Sequence, residues 1–111
     1  MGYPAVDTLN GYQAEAEKFA KYDRSCGIIY NGLKLASEAG EVAGRIGKAL
    51  GHNNGNQDQG ELALEMGDVL WHLTLLASEI GLRLSDIANM NLDKLAGRAE
   101  RGTIAGNGDH R

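Results

Sequence analysis

The chain of 111 residues carries 15 Asp and Glu against 11 Lys and Arg, a formal charge of −4. That balance argues against a binder of polymeric nucleic acid, which gains affinity by neutralising phosphates with an excess of cations. Cys26 is the single cysteine, which excludes an intrachain disulfide and a multi-cysteine zinc site; with no signal-peptide pattern and no apolar run of bilayer length, the expectation is one cytoplasmic domain over residues 1–111 with no membrane partner.

Few aromatics and valines disfavour an all-β protein, and the lone proline, Pro4, leaves every later segment free to be helical. The first helix is expected from a Thr8 N-cap to about Tyr22, with Leu9, Tyr12, Ala16 and Phe19 as its apolar stripe. A second helix covers roughly 27 to 50. Its main stripe is Ile29, Leu33, Ala36, Ala39, Ala43, Ile46 and Leu50, widened by Leu35 and Val42, and Gly51 is its stop. Residues 52 to 60 hold nothing apolar and read as a loop, either a plain connection or a flap beside a site.

The third helix, about 61 to 80, is the most apolar segment. Leu62, Val69, Leu73, Leu76 and Ile80 lie on one side, and Leu64, Leu70, Trp71 and Leu75 cover much of the rest. A helix apolar nearly all round belongs at the centre of a fold or in a subunit interface. A chain this short cannot easily enclose one, so a homo-oligomer is expected. Ser85 caps a fourth helix, with Asp86 in its first turn, which ends near Gly102. The remaining residues form a glycine-rich tail. The expected fold class is all-α, a four-helix bundle completed by oligomerisation.

One frame occurs twice. Leu35-Ala-Ser-Glu38-Ala-Gly40-Glu41-Val42 returns 27 residues later as Leu62-Ala-Leu-Glu65-Met-Gly67-Asp68-Val69, with five of eight positions identical and a sixth exchanging Glu for Asp. Each copy puts two carboxylates on one helix face beside apolar residues. Two antiparallel helices bring Glu38, Glu41, Glu65 and Asp68 together, and uncompensated acids there force protonation or disrupt packing. A hard divalent cation resolves the conflict, and an all-oxygen ligand set suits Mg²⁺ or Mn²⁺. A di-iron bundle needs Glu-x-x-His from two helices, which this chain lacks. Gly40 and Gly67 each cost about 1 kcal/mol relative to Ala in a helix interior; they permit close backbone approach or leave room for a ligand.

Basic residues gather in the last third. Lys94, Arg98 and Arg101 step along the fourth helix, Asn91 lies on the same side, and Arg111 closes the tail. They form either a solvated face or, opposite a metal-loaded acidic cluster, a complement to the phosphates that the metal brings. Lys48, two turns beyond Glu41, has the same two readings. Trp71 and Tyr30 read as core residues rather than base-stacking ones.

Glu38-Ala-Gly-Glu41-Val followed by Glu65-Met-Gly-Asp68-Val-Leu-Trp71-His resembles the Glu-x-x-Glu … Glu-x-x-Asp signature of the MazG-type nucleoside triphosphate pyrophosphohydrolases. Residues 30 to 35, Lys48, Asn91-Leu-Asp-Lys94-Leu, Arg98 and the ending Arg101 to Arg111 fit small single-domain members, and the resemblance runs from about residue 9 to the C-terminus. It implies an all-α fold assembled as homodimers or homotetramers, with Mg²⁺ held by Glu38, Glu41, Glu65 and Asp68. It further implies hydrolysis of a (deoxy)nucleoside triphosphate between the α- and β-phosphates to a monophosphate and pyrophosphate, in nucleotide pool adjustment or house-cleaning. Carried over, Glu38 helps activate the attacking water, and Lys94, Asn91 and Arg98 hold the phosphates. Ser37 stands where many relatives carry Glu, and His72 where Tyr is common. The alternatives are a non-catalytic helical interaction module with a structural acidic cluster, or a related dUTP- or phosphoribosyl-ATP-specific enzyme.

Overall fold

A computed structural model describes residues 2–52 and 54–102, and the chain there is helical with no strand. Four α-helices follow in order: α1 (Leu9–Ala16), α2 (Gly27–His52), α3 (Gln59–Glu79) and α4 (Leu84–Glu100). The glycine-rich tail, with Arg111, lies outside the described residues.

Local side chains set most boundaries. Thr8 Oγ1 accepts the Gly11 N–H at 3.0 Å and starts α1. The helix stops at Ala16, short of the expected Tyr22, because the chain tightens into a 3-10 turn over Glu17–Phe19. A second such turn, Arg24–Cys26, is capped by the Asp23 carboxylate on the Ser25 N–H and feeds into α2. Gly51 does not stop α2, which runs on through His52. The left-handed residues Asn54 and Gly55 end it instead, and the Gly55 N–H returns to the Ala49 carbonyl at 3.0 Å. Asp58 then caps α3 through the Glu61 N–H.

The start of α4 differs from the sequence reading. Arg83, not Ser85, holds the N-cap position, and the Asp86 carboxylate accepts the Arg83 N–H at 3.1 Å. The next two orphan donors are met from α1: the Leu84 N–H by Gln13 Oε1 at 2.7 Å and the Ser85 N–H by Asn10 Oδ1 at 3.0 Å. A cap delivered by a helix some 70 residues earlier leaves no local pattern. It also fastens α1 to α4.

The long helices α2 and α3 form the main hairpin, and α1 packs across α3 and α4. Leu75, Ala77, Ala16, Ala49 and Leu84 make up the buried apolar set, together with fully buried Asn31 and Thr74. This is a small core with a polar seam. The expected main stripe of α2 is not in it: Ile29 and Leu33 are each 69% exposed and Leu50 70%. The face of α2 turned to α3 carries Asn31, Glu38 and Ala49 instead. On α3, Leu64 is 75% exposed, and Met66, Leu70 and Leu73, with Ile80 just beyond its end, are also open. The Cα radius of gyration, 16.5 Å, exceeds the ~13 Å of a compact chain of this length. The single chain therefore leaves much of its apolar surface unburied.

Candidate metal centre and its flanking clefts

The hairpin brings three of the four acids of the duplicated frame together. Glu38, Glu65 and Asp68 each offer a carboxylate oxygen, all within 4.8 Å of one another. Glu38 on α2 is only 8% exposed, Glu65 is half-buried and Asp68 is exposed, so of the acids expected against apolar surroundings only Glu38 is enclosed. Glu41, one turn beyond Glu38, is exposed and stands outside this trio, although it shares a cleft with Glu65.

Cations of the chain itself temper the charge. Lys34 Nζ lies 3.7 Å from Glu38 on the same helix face. Arg45 reaches across to α3, touching Glu65 at 3.3 Å and Glu61 at 3.2 Å. Among the described residues no ion pair involves Asp68. Three carboxylates at this spacing with incomplete pairing fit a divalent cation that takes oxygen ligands.

Behind the trio, His72 is buried and bonded through Nδ1 to Asn31 Oδ1 at 3.1 Å, while Asn31 Nδ2 donates to the Gly27 carbonyl at 2.8 Å. Since the Asn31 amide nitrogen is committed as donor, its oxygen accepts, and His72 carries its proton on Nδ1. Burial pushes the imidazole below its ordinary range against the opposing pull of Glu38, leaving a neutral ring beside the acids. Asn31 escaped the sequence reading, because it lies on the polar side of α2, opposite the apolar stripe, where a residue reads as solvated.

Two clefts adjoin the trio. The first, about 470 Å³, lies between α2, the connecting loop and α3, and is lined by Glu41, Arg45, Lys48, Asp58, Glu61 and Glu65. It holds Lys48, one of the expected phosphate ligands, and adds Arg45. The loop between the helices thus forms a wall of the cleft. The second cleft, about 410 Å³, is mainly apolar and has Asp68 on its edge. Burial, and behind it the charge of Asp68, pushes the nearby Tyr12 phenol up and keeps it neutral.

Three expected phosphate ligands sit elsewhere. Asn91 and Lys94 are exposed on α4 and Arg98 is half-buried there, and no α4 residue lines either cleft. Gly40 and Gly67 do not mark a close helix contact: a Cβ built on either meets nothing within 4 Å. Of the two roles considered for them, only open space is present in the single chain.

No described helix is long and apolar enough to cross a membrane. No solved structure matches the chain. The chain is 36% identical over 109 residues to the "Gene 37 protein" of Mycobacterium phage L5, an alignment covering 90% of this chain and 96% of the phage protein. The family model of the MazG nucleotide pyrophosphohydrolase domain matches residues 30–103, which include all of α3, all but the first three residues of α2, and all four acids. On that match, joined to the all-α architecture, the chain belongs to the MazG nucleotide pyrophosphohydrolase family.

Proposed function

We propose that the protein hydrolyses (deoxy)nucleoside triphosphates between the α- and β-phosphates, giving a monophosphate and pyrophosphate, with Mg²⁺ held at Glu38, Glu65 and Asp68. The observation that carries this reading is the convergence of those three carboxylates inside the family's matched segment. Mn²⁺ is an acceptable substitute for the same oxygen set. Bound there, the cation supplies neutralisation of the phosphate charge and acidification of a water.

The chain's own groups divide the remaining work. Glu38, the enclosed member, accepts the proton of the attacking water. That water adds to the α-phosphorus as the bond to the bridging oxygen breaks and pyrophosphate leaves. Glu41 and Glu65 line the same cleft as Arg45 and Lys48, which supports a role for these two cations in meeting the β- and γ-phosphates. Glu41 joins the metal set when that cleft is filled. Pool adjustment and house-cleaning both use this reaction.

The exposed stripe Ile29–Leu33–Ile46–Leu50 supports a homo-oligomer in which a second copy covers α2. Asn91, Lys94 and Arg98, which line neither cleft, then serve the phosphates of a neighbouring copy. The same stripe favours the second reading, a helical interaction module with a structural acid cluster.

Pure protein incubated with Mg²⁺ and a nucleotide panel decides between them. Pyrophosphate release, abolished in the Glu41→Gln plus Asp68→Asn double variant, is expected. Release of orthophosphate alone, or turnover surviving both substitutions, sinks the proposed reaction. A complete lack of turnover, with a melting temperature indifferent to Mg²⁺ and nucleotide, selects the interaction module.

A further inference from the structure

We infer that Arg45 is an exchangeable counter-ion of the metal centre: it neutralises Glu65 until a polyphosphate draws it off, so that divalent metal and nucleotide bind as a coupled pair. This rests on the reading of the acid cluster as the reacting centre and adds the way that centre is loaded. Arg45 Nη2 lies 3.3 Å from Glu65, a member of the carboxylate trio, and Nη1 lies 3.2 Å from Glu61, which is outside it. A guanidinium and a divalent cation held against one carboxylate repel each other. Arg45 therefore competes with the metal for a ligand.

Three features make this pairing exchangeable. Arg45 is part-exposed and Glu61 largely exposed, so water screens the contacts and each is weak. The Arg45 Nε–H is buried and meets no acceptor among the described residues, so the pairing leaves one donor unmet and a rearranged side chain has something to gain. Glu61 also gives the guanidinium a second anchor, so Arg45 can release Glu65 and stay in the cleft it lines. The neighbouring cations lack this double placement. Lys48 lines the same cleft, yet no ion pair among the described residues includes it. Lys34 stands 3.7 Å from Glu38 but lines neither cleft. Of the three, only Arg45 belongs both to the charge balance of the trio and to the cleft proposed for the polyphosphate. A phosphate that takes up Arg45 frees Glu65 for the metal, and by linkage each ligand then raises the affinity of the other by the same factor.

The test is a split in opposite directions. Mn²⁺ binding without nucleotide is followed by the paramagnetic resonance signal of the free ion. Arg45→Gln should tighten it by about five- to 20-fold, the scale of repulsion between a single and a double charge a few ångströms apart in screened water. At saturating Mn²⁺ the same variant should bind a deoxynucleoside triphosphate analogue, imido-bridged between the α- and β-phosphates, about tenfold or more weakly in calorimetry, through the lost charged hydrogen bonds. Lys48→Gln should weaken the analogue and leave Mn²⁺ within about twofold of wild type. Glu61→Gln, which leaves Arg45 to Glu65 alone, should weaken Mn²⁺ about threefold and stands in if Arg45→Gln fails to fold by circular dichroism. Mn²⁺ affinity unmoved or lowered in Arg45→Gln, or unmoved in Glu61→Gln when that variant stands in, overturns the inference even when the wild type releases pyrophosphate. Equal tightening by Lys48→Gln also overturns it, since overall charge and not exchange at Glu65 is then at work. The stated split in a protein that turns over no nucleotide upholds the exchange and condemns the proposed reaction instead.

Discussion

Asp68→Asn separates the two sides of a carboxylate cluster, because removing one charge should stabilise the empty site and abolish its response to metal. The trio oxygens lie within 4.8 Å of one another. At that separation a pair of unit charges repels by about 3.5 kcal/mol at an effective dielectric of ~20 and by about 0.9 kcal/mol in water. Asp68 is exposed, so the lower end applies, about 1 kcal/mol. For a chain of this size that corresponds to a rise of roughly 4–6 °C in the metal-free melting temperature. Mg²⁺ at ten times its dissociation constant adds about 1.4 kcal/mol to the wild type, and the variant should lose most of that increment. Differential scanning fluorimetry with EDTA and across a Mg²⁺ series measures both effects. A variant whose metal-free melting point is unchanged or lower, and whose Mg²⁺ increment matches the wild type, would refute the reasoning.

Gly27→Ala drives a methyl into the Glu79 carboxyl group, which also accepts the Tyr22 hydroxyl at 2.6 Å and pairs with Arg24 at 3.0 Å; a loss of about 1–3 kcal/mol is expected in urea denaturation, the usual cost of overpacking, and an unchanged midpoint contradicts it. Gly47→Ala meets nothing within 4 Å, so it should stabilise an isolated chain by about 1 kcal/mol through helix propensity. A drop in its melting point shows instead that another copy occupies the space. Leu33→Asp, on an exposed position where a lone chain tolerates change to within about 0.5 kcal/mol, should shift sedimentation toward monomer; retention of the wild-type mass removes the α2 stripe from any interface. For His72, burial holds the folded imidazole below the ordinary 6.5. Below that value the unfolded chain takes up a proton that the folded chain resists, so stability falls as pH drops from about 6.5 and is unaffected by this group above it. His72→Gln should flatten that part of a melting curve series taken from about pH 5 to 8, and an identical slope in both proteins contradicts the assignment.

Helix existence was legible because apolar spacing and caps are local. Thr8 and the Glu-x-x-Glu and Glu-x-x-Asp frames act within one or two turns, and the structure has α1, α2 and α3 starting close to where those signals put them. The start of α4 was misread because its capping groups, Asn10 and Gln13, come from a distant helix. Arg45 was passed over for a related reason: its position on α2 faces Glu41 in sequence, yet its guanidinium crosses to Glu61 and Glu65 of the neighbouring helix. Periodicity reports which residues share a face and says nothing about what that face meets.

The α2 stripe shows the consequence. Its apolar side, the stronger periodic signal, is turned outward, and its polar side packs on α3. Burying Asn31, Glu38 and His72 in a small core is unfavourable unless each is bonded or paired. The bonds from Asn31 to His72 and to Gly27, and the Lys34 contact with Glu38, satisfy part of that requirement. Arg45 meets Glu65 from α2, Asp68 has no ion pair among the described residues, and a cation shared by the trio would complete the set. The polar seam that weakens the hairpin as a core is therefore what fits it to hold a metal ion. In the proposed homo-oligomer, the exposed apolar face on the other side of α2 would recover stability that the seam does not provide.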